Sequence, residues 1–113
     1  MGQRLLTAIT PQLYLIVLSL IFSFNLADGL LTLLWVYMGI AEEANPVMSF
    51  FLDMGPFYFL SVKIFVVATL LYFIHGFYDV LLARALVLLV LLSYLFVIGI
   101  HMRLLVLIVT LNS

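Results

Sequence analysis

The sequence predicts an all-α integral membrane protein: three transmembrane helices, with a short interfacial or re-entrant helix between the first and the second. Three observations predict it. Of the 113 residues, 68% are hydrophobic and only 8% are charged, whereas charged residues make up about 25% of an ordinary soluble domain. The mean hydropathy is +1.42, and a small soluble fold leaves too much of its surface in water to hide that much apolar side chain. The apolar residues also fall into runs of the length a bilayer demands, broken by short polar or glycine-containing links. A single transmembrane domain accounts for residues 1–113.

The first span is expected over about residues 13–40. Pro11 precedes it at a position suited to an opening turn. Tyr14 marks one interface, and Trp35 and Tyr37 the other, in the manner of aromatic belts. From Tyr14 to Tyr37 a helix rises about 35 Å, enough to cross a hydrocarbon core of about 30 Å with modest tilt. This run is too long for a signal peptide, and it carries Asn25 and Asp28 where a small-residue cleavage site belongs. Myristoylation is excluded because Leu6 stands where Ser or Thr is needed.

The short helix is expected over residues 46–54. Asn45 is a good N-cap residue, Pro46 fits the first helical position, and Gly55 ends the segment. Val47, Met48, Phe50, Phe51 and Leu52 make it apolar nearly all round, hence interfacial or re-entrant. The second span follows over about 56–75, with Phe57, Tyr58 and Phe59 at one end and Tyr72, Phe73, Phe77 and Tyr78 near the other. Gly76 begins a tight link through Asp79. The third span is expected over about 80–110. His101 and Arg103 interrupt it, but residues 104–111 are apolar again and lack an amphipathic period, which favours one long helix over a break near Ile100.

Arg4 and Arg84 fall on one side of this arrangement, and the first connection holds Glu42, Glu43 and Asp53 without Lys or Arg. The positive-inside rule then places the N-terminus in the cytoplasm and the Glu-Ala-Asn-Pro turn outside. The expected location is the cell's inner (cytoplasmic) membrane, multi-pass. A net charge of −1 gives no basic surface for nucleic acid. The lack of cysteine removes disulfides, thiolate metal sites, c-type haem attachment and cysteine nucleophiles.

Polar residues inside such spans are the candidate functional residues. Asn25, Asp28 and Thr32 lie at i, i+3 and i+7 and share one helix face, with Gly29 beside them. A polar stripe on an apolar helix should face protein or water rather than acyl chains. Asp28 lies about 14 Å below Tyr37 and Lys63 about 8 Å below Tyr58, so both belong to the outer half. Helical side chains lean toward their own N-terminus. In oppositely directed spans that favours Lys63 with Glu42 or Glu43, and places Lys63 with Asp28 second. His101 and Arg103 reach a depth close to that of Asp28. The plain reading of this cluster is helix-to-helix glue, worth about 0.6 to 2 kcal/mol per polar contact. The competing readings are an ion or proton pathway and a docking surface.

Other chemistry is less well supported. His75 and His101 fall near opposite membrane faces, about 20 Å or more apart, so one chain cannot clamp one haem iron between them. The five methionines read as packing. Glu42 and Glu43 are adjacent and do not converge as paired carboxylates do. Ser19, Ser23, Ser61 and Ser93 lack a neighbouring base. No Gly-x-Ser-x-Gly, His-Glu-x-x-His, phosphate-binding glycine loop or Gly-x-x-x-Gly motif is present. No cofactor and no metal site is expected.

The order Asn25-x-x-Asp28-x-x-x-Thr32, Gly39, Glu43-Ala44-Asn45-Pro46-x-Met48, Gly55-Pro56 and Lys63 resembles a family of small bacterial and archaeal membrane proteins known only as a domain of unknown function. The likeness runs over about residues 22–71. It implies a few helices in the membrane and no reaction, and it draws attention to Asp28, Thr32, Glu43, Asn45, Pro46 and Lys63.

Three functions compete. The first is a non-catalytic accessory or assembly subunit that packs beside other membrane subunits in the lipid bilayer. Three helices enclose little volume for a ligand. The second is a homo-oligomeric proton- or ion-coupled carrier or channel using Asp28, Lys63 and His101. The third is an intramembrane enzyme acting on lipid near Glu42, Glu43, Asn45 and Lys63. No nucleophile and base arrangement supports it.

Overall fold

A computed structural model describes residues 6–112. Its principal helices are α1 (Pro11–Tyr37), α2 (Pro46–Met54), α3 (Pro56–His75) and α4 (Leu81–Leu111). The three longer ones, α1, α3 and α4, are long and apolar enough to cross a membrane, with the short α2 between the first two. Arg4, on which the orientation argument partly rests, lies outside the described residues.

Local chemistry sets the helix ends. The Thr10 hydroxyl accepts from Leu13 N–H at 3.1 Å, and Pro11 occupies the first helical position, where a missing N–H costs nothing. α1 stops at Tyr37, three residues short of the expected Ile40. Gly39 takes φ +74°, its N–H bonds to Val36 O, and Ile40 N–H bonds to Trp35 O. This paired closure of the last carbonyls needs a left-handed residue, which glycine supplies without strain. The Asn45 side chain accepts from Val47 and Met48 N–H and caps α2. α4 runs unbroken through His101 and Arg103 for 31 residues, about 45 Å.

α1 is the spine. Its buried positions are Tyr14, Val17, Leu18, Ile21, Asn25, Gly29, Leu33 and Trp35. α3 buries only Phe59, and α4 buries Ala83, Val87 and His101. Both α3 and α4 pack on α1 but barely on each other. An apolar cleft of about 380 Å³ therefore remains between them, lined among others by Val67, Leu70, Leu86 and Val90. α3 runs antiparallel to α1, because Tyr14 meets Ile74 and Asn25 meets Lys63. α4 runs parallel to α1, because Tyr94 meets Asn25 and His101 meets Trp35.

α2 doubles back along α3. One residue, Gly55, joins the two helices, and they pack closely. Val47 and Met48 of its first turn share a cavity with Val62, Lys63 and Val66 of α3. Lys63 lies about 10 Å along α3 from Pro56. The short helix is thus a returning arm packed beside α3.

At the opposite end Tyr14 is not an exposed interface marker. It is 2% exposed, and its hydroxyl donates to Ile74 O at 2.7 Å. Its ring meets Tyr78 edge-on at 5.2 Å, the Tyr78 hydroxyl donates to Ile9 O, and the Arg84 guanidinium lies over the Tyr78 ring. These contacts tie the α3–α4 link to the start of α1.

Candidate functional site

Helical periodicity places Asn25, Asp28 and Gly29 on the seam of α1, where α3 and α4 both arrive. Asp28 joins the three spans. Its Oδ2 receives Lys63 Nζ at 2.8 Å, and its Oδ1 lies 2.7 Å from His101 Nε2. The other nitrogen of His101, Nδ1, accepts from Trp35 Nε1–H at 2.8 Å. An indole N–H only donates, so Nδ1 carries no proton, and a neutral imidazole keeps its proton on the other nitrogen. The network therefore assigns the Nε2–H tautomer, with His101 donating to Asp28. A doubly protonated ring would turn an N–H toward the indole N–H and lose that bond.

Lys63 reaches Asp28 because Gly29 has no side chain. A Cβ on Gly29 would lie 3.1 Å from Lys63 Cδ and 3.0 Å from Leu60 Cδ2. The lysine stem lies in this notch and delivers its ammonium to the next residue along the seam. The expected first pairing, Lys63 with Glu42 or Glu43, does not form. Glu43 is instead taken up locally, its Oε1 accepting from Asn45 N–H at 3.0 Å. A side-chain lean of a few ångströms is smaller than the reach of a lysine stem laid along a glycine.

One turn further down, Asn25 is fully buried. Its Nδ2 donates to Lys63 O at 3.4 Å, and its Oδ1 accepts from Tyr94 O–H at 3.0 Å. Asn25 thus ties α3 and α4 to α1 a second time. The carboxylate of Asp28 and the ammonium of Lys63 cancel in charge, and His101 is neutral. Opposite charges at 2.8 Å in a medium poor in water attract strongly, which offsets much of their desolvation.

Not every expected member joins. Thr32 is half-buried and its side chain makes no hydrogen bond with a described residue, and Arg103 is exposed and forms no ion pair with one. Arg103 lies two residues from His101, so the helical twist turns it away from α1. Glu42 and Glu43 border a separate cleft with Ser49 and Asp53. Asn45 and Pro46 begin α2 beside Lys63. Among the described residues, no three His, Asp or Glu side chains gather as a metal would require.

Two partners were not anticipated. Trp35 reads in the sequence both as an interface anchor and, with Val36 as the alternative, as an extension of the polar stripe, but not as a hydrogen-bond partner; it is 2% exposed and holds His101. Tyr94 attracts no notice as one aromatic among many. Its signal is the seven-residue spacing of Val87, Tyr94 and His101, two turns apart on one face of α4.

The chain belongs to the family described as domain of unknown function DUF5658, whose model matches residues 8–107. That match extends the likeness from residues 22–71 to nearly the whole chain, including His101 and Arg103. No match was found among the curated proteins or among the solved structures.

Proposed function

We propose that this small membrane protein is a non-catalytic accessory or assembly subunit of a larger membrane complex. In this reading it sits in the cell's inner membrane with its N-terminus in the cytoplasm. The observation that carries the reading is how the buried polar groups are used. Asp28, Lys63, His101, Trp35, Asn25 and Tyr94 are bonded to one another. They hold α3 and α4 on α1 and form a charge-balanced, rigid unit. Large side chains of α3 and α4, such as Phe65, Tyr72, Leu82 and Phe96, point away from the bundle and are available to lipid or to neighbouring subunits. Affinity capture from cells at native expression, in mild detergent, with mass spectrometry tests the reading. A partner at fixed stoichiometry is expected. Recovery of the free chain alone, with no cross-linked neighbour, contradicts it.

One observation favours a second reading, a homo-oligomeric ion- or proton-coupled carrier. α2 is a half-helix that begins beside Lys63 and Asn25, as the broken helices of transporters begin beside their sites. That reading requires a gradient-driven flux in proteoliposomes that Asp28→Asn abolishes without preventing assembly. Absence of any flux in the unaltered protein removes it.

A further inference from the structure

We propose that the cavity between the first turn of α2 and the middle of α3 binds the head of a single-chain lipid bearing a neutral carbonyl. The proposal does not depend on the subunit reading. The cavity holds about 380 Å³ and is lined by Asn25, Asn45, Lys63 and Tyr94 among valines and Met48. That volume lies at the low end of the range for ligand sites, and a mostly apolar wall with a few convergent polar groups is their usual character.

The polar groups have a common sign. The Lys63 ammonium has three N–H donors and gives one to Asp28. Asn25 is fully buried and spent on Lys63 O and the Tyr94 hydroxyl, so it backs the cavity without offering a free donor. The Asn45 amide nitrogen bonds no described residue, because it is the Asn45 oxygen that caps α2. Tyr94 has its proton committed to Asn25. The remaining capacity at the cavity wall is therefore chiefly donor, and a complementary head must accept. A carboxylate or phosphate accepts too, but it would bring a second negative charge beside Asp28, whose charge Lys63 already balances. A neutral carbonyl accepts without that cost.

Access is from the side. Val47 and Val66, at the edge of the cavity, are 62% and 47% exposed. Val66 belongs to the spanning helix α3, so the opening faces where acyl chains run. The tail can remain in the bilayer while the carbonyl enters.

The test is photolabelling of the purified full-length protein in nanodiscs with a diazirine-bearing methyl palmitate, followed by competition. Methyl palmitate should compete at least about tenfold better than hexadecane, which has no head, and than palmitate, which is charged. A decyl-tailed quinone in the same assay tells a quinone carbonyl from an acyl ester as the source. Val66→Trp fills the opening and should abolish labelling. Asn45→Asp retains a good N-cap while replacing the amide donors by an acceptor, and should weaken competition by about tenfold. Equal competition by hexadecane overturns the proposal. So does stronger competition by palmitate, the absence of labelling on α2 and α3, or labelling that survives both variants in folded protein.

Discussion

The indole nitrogen of Trp35 donates to Nδ1 of His101 at 2.8 Å, and this bond determines which imidazole nitrogen presents a proton to Asp28. Two residues of α1, Asp28 and Trp35, thereby hold one residue of α4 from both sides. The carboxylate accepts one hydrogen bond from α3 and one from α4, and the three spans share a single anchoring charge.

Trp35→Phe keeps an aromatic ring in the buried position and removes the donor. Nitrogen chemical shifts of His101 should report a single neutral Nε2–H tautomer in the unaltered protein and a mixture in the variant. The stability cost should be about 1 kcal/mol, the worth of one ordinary hydrogen bond. A mixture of tautomers before substitution refutes the assigned network.

Gly29 should tolerate alanine far better than leucine. Alanine requires Leu60 and Lys63 to yield by a few tenths of an ångström, and both neighbouring atoms belong to flexible side chains. Leucine must displace the lysine stem, and should cost about 1–3 kcal/mol by overpacking while separating Lys63 from Asp28. Detergent-titration unfolding measures the cost, and a cysteine pair spanning α1 and α3 reports the separation. The native chain has no cysteine, so such pairs need no background removed.

Asn45→Ala should loosen α2 alone. The lost cap is worth about 1 kcal/mol, and Val47 and Met48 N–H lose their acceptor. Hydrogen exchange should quicken over the first turn of α2 and remain unchanged in α1. Equal acceleration across the whole bundle indicates that α2 is part of the core rather than a returning arm on α3.

At the other end of the bundle, Tyr14→Phe removes the bond to Ile74 O. A loss of about 1 kcal/mol is expected, read as a lower midpoint in the same unfolding titration, with the Trp35 environment unaltered. A change in Trp35 fluorescence with this variant contradicts the independence of the two ends.

Much of this was legible in the residues. The three spans follow from apolar runs of bilayer length, and α2 from Asn45, Pro46 and Gly55, because local cap chemistry decides the ends of the short helix. The shared face of Asn25 and Asp28 follows from spacing alone. The pairing of Lys63 was misjudged because depth and side-chain lean ignore the notch at Gly29, which exists only once α3 packs. Tyr14 and Trp35 read as interface anchors because an aromatic near the end of a span has the same sequence signature whether it faces headgroups or a neighbouring helix. Tyr94 and Trp35 gain their roles from contacts 69 and 66 residues away in sequence; spacing puts Tyr94 on the face of His101 but does not name its partner.

A double-mutant cycle on Asp28 and Lys63, read by unfolding in bilayer-mimetic detergent, examines the shared anchor most directly. Asp28→Asn alone should cost about 3 kcal/mol, because it strands the Lys63 charge, and Asp28→Asn with Lys63→Met should recover a substantial part of that loss. A coupling of about 1 kcal/mol or more between the two positions is the predicted result. Strictly additive costs would mean that the carboxylate of α1 and the ammonium of α3 do not meet inside the bundle.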